Sequence, residues 1–212
     1  MTYPLENIPM TIIGGYLGAG KTTVINRLLS QKHGQRLAIL VNDFGALNID
    51  AELIDYHEGN TYSLSNGCVC CSITDDLGTT LAKVTNTDNP PDQIILETSG
   101  VAEPAKLATY CDGWPGIFLQ SIFIIVDAET IKARSQDKFV GQLVCRQLLA
   151  ADLLVLNKSD LVTQNEIADL RGWIKEQGVG AEILETVHGV LPLEFLLASA
   201  NRDNHRNSKN TN

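Results

Sequence analysis

The sequence predicts an α/β domain, a mainly parallel sheet with helices on both faces, and three observations carry that expectation. Short runs dominated by aliphatic residues, at 10–13, 37–41, 93–96, 121–126 and 153–156, have strand length and little polar alternation, the pattern of strands buried on both faces. Stretches with apolar residues at helical spacing separate most of them. Between the first strand and the first helix lies Gly15-Tyr16-Leu17-Gly18-Ala19-Gly20-Lys21-Thr22, which fits GxxxxGK(S/T) at the point in the chain where a phosphate-binding P-loop must sit.

The chemistry of that loop follows from its residues. Gly15, Gly18 and Gly20 let the backbone turn its N–H groups inward around the β- and γ-phosphates, with Ala19 in the same turn. Lys21 supplies a point charge to the same oxygens, and the Thr22 hydroxyl can ligate Mg²⁺. Thr23 completes the candidate set, at the start of a helix whose positive end faces the anion. In that helix Val24, Ile25, Leu28 and Leu29 share one face, and Gly34 is placed to end it.

The strand at 37–41 delivers Asn42-Asp43-Phe44-Gly45 to the edge where open α/β sheets present their ligand-binding loops. Asp43 is a candidate for orienting water or supporting Mg²⁺, and equally a turn former after a strand. The polar, acidic stretch 48–59 has the composition of an exposed switch segment. A short strand at 62–64 precedes Ser65-Asn66-Gly67-Cys68-Val69-Cys70-Cys71. Thr74 as N-cap and Asp75 and Asp76 in the first turn predict a helix there, with Leu77, Leu81 and Val84 on its buried face. The three cysteines thus stand just before a helix N-terminus, where the dipole favours thiolate, the form that binds metal.

The strand at 93–96 ends in Glu97-Thr98-Ser99-Gly100, an acid for a Mg²⁺ site and a glycine whose N–H can sense a γ-phosphate. Pro104 suits the first turn of the next helix, and the strand at 121–126 ends at Asp127. A helix over 140–150, with Leu143, Gln147 and Ala151 on a mixed face, leads to the strand at 153–156 and to Asn157-Lys158-Ser159-Asp160, an NKxD motif. A carboxylate at Asp160 can accept from the ring N1–H and the exocyclic amine of guanine together, which adenine cannot offer, while Lys158 can lay its stem over the base. Thr163 and Glu166 form a capping-box pattern, with Ile167, Leu170 and Ile174 on the buried face and Gly178 at the stop. A last strand at 181–185 leads through Thr186-Val187-His188-Gly189 toward the base site, which makes His188 a further candidate, and a short helix at 191–197 closes the fold.

With 212 residues the chain suits one well-buried domain. A net charge of −9 argues against a general nucleic-acid or anionic-membrane binder. No apolar run has the length of a membrane span, and the first ten residues lack the pattern of a signal peptide, so a cytoplasmic protein is expected. Five cysteines, three of them crowded at 68, 70 and 71, read as free thiols or metal ligands rather than a disulfide framework.

In this order the motifs resemble the CobW-type GTPases, relatives of the nickel-enzyme maturation GTPases HypB and UreG, over about residues 10–197. The residues that carry the resemblance are GGYLGAGKTT, VNDFG followed by NID, NGCVCC, ETSGVAEP, LNKSD and the closing TVHG. It implies a P-loop NTPase domain of the signal-recognition and MinD-like branch, binding GTP and hydrolysing it with Mg²⁺; because Val101 and Ala102, and no glutamine, follow the ExxG, slow intrinsic turnover is expected. Thr22 and Glu97 would hold Mg²⁺, and Lys21, Asp43 and Glu97 would serve catalysis. It implies a transition metal, Zn²⁺ or Co²⁺, at Cys68, Cys70 and Cys71, with nucleotide state coupled to metal delivery to a client metalloprotein or metal-dependent enzyme. A homodimer across the nucleotide face is likewise implied. This chain has Val41 and Ala46 where many relatives carry glutamates, and Asp43 in place of a usual glutamate. The expected organisation is a tail at 1–9, a GTPase domain at 10–200 and a disordered polar tail at 201–212, with the C-terminal domain of many relatives absent.

CxCC is too tight for three thiolates to take independent positions easily on one tetrahedral ion. Two sulfurs plus outside ligands suit it better, drawn from the third thiol, His57, Asp43, water or a second subunit. The alternative is a nucleotide-dependent protein-interaction switch in which these cysteines pack or respond to oxidation. His33 carries no ligand spacing, and Cys111 and Cys145 read as small hydrophobic residues.

Overall fold

The computed structural model describes residues 7–31, 35–42, 61–64, 73–192 and 195. In chain order the elements are β1 (Ile8–Gly14), α1 (Lys21–Leu29), β2 (Leu37–Asn42), β3 (Thr61–Leu64), α2 (Ile73–Thr85), β4 (Gln93–Glu97), α3 (Pro104–Asp112), β5 (Ile117–Asp127), α4 (Ile131–Ser135), α5 (Gly141–Leu149), β6 (Leu153–Asn157), α6 (Gln164–Glu176) and β7 (Glu182–Glu185). Every strand pairs parallel, in the order β3-β2-β4-β1-β5-β6-β7. That is the parallel α/β architecture the apolar runs predict. All residues of β4 and β6 are buried, which is why their sequences show no polar alternation.

Side chains leave a strand alternately to its two sides, and the core divides accordingly. Met10 and Ile12 of β1 join Leu77, Leu81, Ile94, Leu96, Val144 and Ile174 in one cluster. Ile13 joins Val24, Ile25, Leu28, Ile95 and Ile125 in the other, where Leu191 and Phe195 also pack. Arg36 and Asp92 pin the starts of β2 and β4 together through a 2.7 Å ion pair, and Arg36 holds the Asp92 carboxyl below its usual range.

The chain reverses its direction of strand addition at β1, between β4 and β5, so the loop after β1 opens into the crevice at the switch point. Because all strands are parallel, the segments that follow Gly14, Asn42, Leu64, Glu97, Asp127 and Asn157 leave from the same edge of the sheet.

Several elements differ from the sequence expectation. β5 begins at Ile117, four residues early, and its register with β1 shifts between Met10 and Thr11. α1 ends at Leu29 rather than at Gly34, which lies outside the described residues; the Ser30 hydroxyl and N–H and the Gln31 N–H close its last turn on the carbonyls of Arg27, Asn26 and Leu28. α2 includes Thr74, which therefore does not cap it. α5 buries Val144, Gln147 and Leu148, leaving Leu143 half-buried. α4 was not anticipated, since five residues are too few to show periodicity. Most of the helix expected at 191–197 falls outside the described residues, as do the tail at 201–212 and residues 1–6 of the tail expected at 1–9, whose last two residues, Ile8 and Pro9, instead open β1.

The capping box of α6 is present in full. Thr163 Oγ1 accepts from Glu166 N–H at 3.3 Å, and Glu166 Oε2 accepts from Thr163 N–H at 2.7 Å. Thr163→Ala removes half of that exchange and is expected to lower unfolding stability by about 1 kcal/mol. A urea titration in which its midpoint matches that of the parent chain would refute this.

Candidate nucleotide-binding site

The P-loop is built by a turn that L-residues rarely adopt. Gly15, Gly18 and Gly20 have φ of 135°, 75° and 98°. Gly20, the N-cap of α1, also faces the Asn157 amide so closely that a Cβ would collide with it, so both conformation and space require glycine there. α1 starts immediately at Lys21 and has no side-chain cap, leaving its first N–H groups available to an anion held in the loop. Lys21 is 9% exposed and Ala19 2%. Thr22 is half-buried and Thr23 exposed.

Two further loops meet this one. Strand β4 ends at Glu97, in register with Ile13 of β1, and Thr98 N–H donates to the Ile13 carbonyl at 2.9 Å. Glu97 is 4% exposed and accepts from the Thr22 hydroxyl at 2.9 Å. Two hard oxygen donors at that separation fit adjacent positions of an octahedral Mg²⁺ shell, whose 2.0–2.1 Å bonds set neighbouring oxygens about 2.9 Å apart. Beyond Glu97, Gly100 lies against the P-loop. A Cβ on it would stand 2.7 Å from the Leu17 backbone nitrogen, so only glycine allows this approach.

The third loop follows β6. Asn157 is 2% exposed, and both ends of its amide are engaged: Nδ2 donates to the Ala19 carbonyl at 2.9 Å, and Oδ1 accepts from Gly189 N–H at 3.1 Å. Its side chain therefore ties the P-loop to the NKxD loop and to the segment after β7. Ser159 N–H and hydroxyl both donate to the Thr186 carbonyl, which fixes the same junction. Lys158 has φ 58°, and its ammonium sits 2.6 Å from Asp127 Oδ2. Asp160 is exposed in a 3₁₀ turn, Ser159–Leu161, and His188 is exposed with φ 53°.

The structure thus brings Gly15, Gly18, Ala19, Gly20, Lys21, Thr22, Glu97, Gly100, Asn157, Lys158 and Asp160 to one edge of the sheet. Asp127 was seen in sequence only as a strand end. Its pairing with Lys158 follows from the register Asp127↔Asn157 between β5 and β6. Asp43, His33, His57, Cys68, Cys70 and Cys71 lie outside the described residues, and among the described ones no three His, Cys, Asp or Glu side chains gather as a metal group. Cys111 is fully buried, and burial pushes its thiol up to about 12, so it remains protonated and behaves as a core residue. Cys145 is half-buried in α5.

Comparison with known proteins bears on this site. Residues 9–185 match the family model described as the CobW/HypB/UreG nucleotide-binding domain. Among curated proteins, a zinc chaperone CobW of Pseudomonas aeruginosa is 32% identical, over 91% of this chain and 60% of that protein. The zinc-regulated GTPase metalloprotein activator 1 of Dictyostelium discoideum is 29% identical, over 91% of this chain and 48% of that protein. The chain therefore spans roughly half to three fifths of the length of these relatives. Among solved structures, the Zn(II)-bound YjiA GTPase of E. coli superposes with a TM-score of 0.67 at 22% identity, covering 91% of this chain and 62% of that one. HypB of Helicobacter pylori in complex with nickel gives 0.60 at 16%, covering 93% and 89%. At these identities the structural likeness speaks for the fold.

Proposed function

We propose that this chain, which belongs to the CobW/HypB/UreG family through its nucleotide-binding domain, binds GTP with Mg²⁺, hydrolyses it slowly to GDP and phosphate, and couples nucleotide state to a transition metal at Cys68, Cys70 and Cys71. The observation that carries the guanine-nucleotide reading is the Asn157 bridge, because it joins a phosphate loop and an NKxD loop into one rigid site. Lys21 lies at the phosphate end and the exposed Asp160 carboxylate at the base end.

Within that site Lys21 would offset charge on the transferring phosphoryl group, Thr22 and Glu97 would hold Mg²⁺ and Gly100 N–H would meet the γ-phosphate, while Asp43, outside the described residues, is the candidate for orienting the attacking water. Mg²⁺, when bound, neutralises charge developing on the β- and γ-oxygens. Asp127 holds the Lys158 ammonium at the base loop.

Two considerations support the metal reading. The family relatives carry names of zinc chaperones and zinc-regulated activators. Topology adds that β3, from whose end the chain leads into the cysteine segment, is two strands from β4. Leu64 is in register with Asn42, and Val41 with Glu97, so the backbones at Leu64 and at Glu97 stand about 10 Å apart. Zn²⁺ or Co²⁺ suits such thiolates, delivery would be to a client metalloprotein or metal-dependent enzyme, and a homodimer could complete the ligand set.

The test is linkage. In chelator competition under reductant, Zn²⁺ is expected to bind more tightly with Mg²⁺ and a non-hydrolysable GTP analogue than with Mg²⁺ and GDP. Metal should raise GTP affinity by the same factor, typically 5–150-fold (about 1–3 kcal/mol). The Cys70→Ala/Cys71→Ala variant should lose the tight binding. Equal Zn²⁺ affinity in both nucleotide states would reject the coupling, and tight binding that survives the double variant would reject the ligands.

A further inference from the structure

The loop from β4 to α3 is gripped from behind by one buried side chain that the site described above does not use. Gln147 on α5 is 1% exposed, and its Nε2 donates to two backbone carbonyls of that loop, Gly100 at 3.1 Å and Ala102 at 2.9 Å. Two acceptors facing one amide decide its orientation: turned over, the amide would set an oxygen against both carbonyls. The other end of the amide, Oε1, is buried with no hydrogen-bond partner among the described residues. A buried acceptor left bare costs free energy, so the two bonds to the loop fix this side chain in place at the expense of its oxygen.

The neighbouring contacts point the same way. Arg146, next to Gln147 in α5, pairs with Glu103 of the same loop at 3.2 Å. Ala102 N–H donates to the Ser99 carbonyl, closing a turn between the two residues whose carbonyls Gln147 takes and the strand end. On its far side the loop is stopped by the P-loop, through the Gly100 approach to Leu17. α4, which packs on α5 with Gly141 against Ser135, carries Arg134, whose guanidinium lies 5.6 Å from the ring centroid of the P-loop residue Tyr16. One helical unit thus touches both loops that would face the terminal phosphate.

We propose that Gln147 is a positioning residue that holds the Gly100 loop closed against the P-loop, so that the protein favours GTP over GDP and turns it over. The inference rests on the reading of Gly100 as the γ-phosphate contact. Gln147 touches no nucleotide itself; it acts by fixing the Gly100–Val101 peptide and the turn that follows, and so holds Gly100 in place against Leu17 of the P-loop. Without that grip the loop must pay the ordering cost when GTP binds, whereas GDP, which lacks the terminal phosphate, does not ask for it.

The experiment uses the full chain with Gln147→Met, which keeps the volume and removes the donor, beside Val144→Ala, a buried residue of the same helix that makes no bond to the loop. Affinities for a non-hydrolysable GTP analogue and for GDP, both with Mg²⁺, and kcat for GTP are measured. Gln147→Met is expected to weaken the analogue and lower kcat by about tenfold each, with GDP affinity held within about twofold. Val144→Ala is expected to keep the ratio of the two affinities. Gln147→Glu, of nearly the same size but with an acceptor facing both carbonyls, serves if the methionine variant does not fold and should lose at least as much. A wild-type ratio and kcat in the Gln147 variants, a shift toward GTP, or the same loss in Val144→Ala would overturn the proposal. Gly100→Ala separates the two readings. Unchanged affinities and turnover there would remove the sensor role itself, whereas a loss there with wild-type Gln147 variants would remove only the grip.

Discussion

In the Lys21→Ala variant, affinity for a GTP analogue is expected to fall by about 100-fold or more, with hydrolysis lost in step, while the far-UV spectrum stays that of the parent chain. Lys21 is the first residue of α1 and almost wholly buried, so its ammonium is held beside the loop rather than swinging in solvent. Held there, it would act as a charge-assisted donor to phosphate oxygens, and one such bond is worth about 1.5–3 kcal/mol. What survives the substitution is the turn formed by Gly15, Gly18 and Gly20 and the uncapped start of α1, which still attract an anion. GDP should therefore lose less than the triphosphate. Nucleotide titration monitored by a fluorescent analogue checks this, and unchanged GTP affinity would count against the whole phosphate-site reading.

That prediction depends on residues that were legible in the sequence, and the reason is local. GxxxxGKT, ExxG and NKxD are short segments whose chemistry is fixed by neighbours a few positions away, and aliphatic runs of strand length identify buried strands without knowledge of their partners. The strand order is a different kind of information. Nothing near Asp127 or Lys158 in the chain announces their ion pair; it exists because β5 and β6 are adjacent and end together. Gln147 was visible only as the polar member of a mixed helix face, since its acceptors lie 47 and 45 residues back in the chain. Asn157 read as part of a base-binding motif, but its amide is engaged by Ala19 and Gly189, backbone groups on two other loops. Buried polar side chains with distant backbone partners are the part of such a site that pattern reading misses, and here they are the parts that lock the loops together.

The base end of the site makes the sharpest demand on the remaining motif residue. Asp160 sits exposed in the turn after β6, with its loop tied to the phosphate end through Asn157 and to the segment after β7 through Ser159. A carboxylate there can accept from guanine N1–H and from the exocyclic amine at once. Asp160→Asn offers one acceptor and one donor instead, which opposes an N–H to the guanine amine and should cost GTP about 100-fold in affinity. The same amide matches xanthine, whose N1–H is kept and whose second position is a carbonyl, so xanthosine nucleotides should gain as guanosine nucleotides lose. The phosphate contacts are the same in both cases, so the exchange of preference isolates the base reading from the rest of the site. Competition of GDP and XDP against a fluorescent nucleotide measures it directly. If Asp160→Asn kept the parent preference for guanine, the NKxD assignment would fall, and the Asn157 bridge would have to be read as a structural tie between loops.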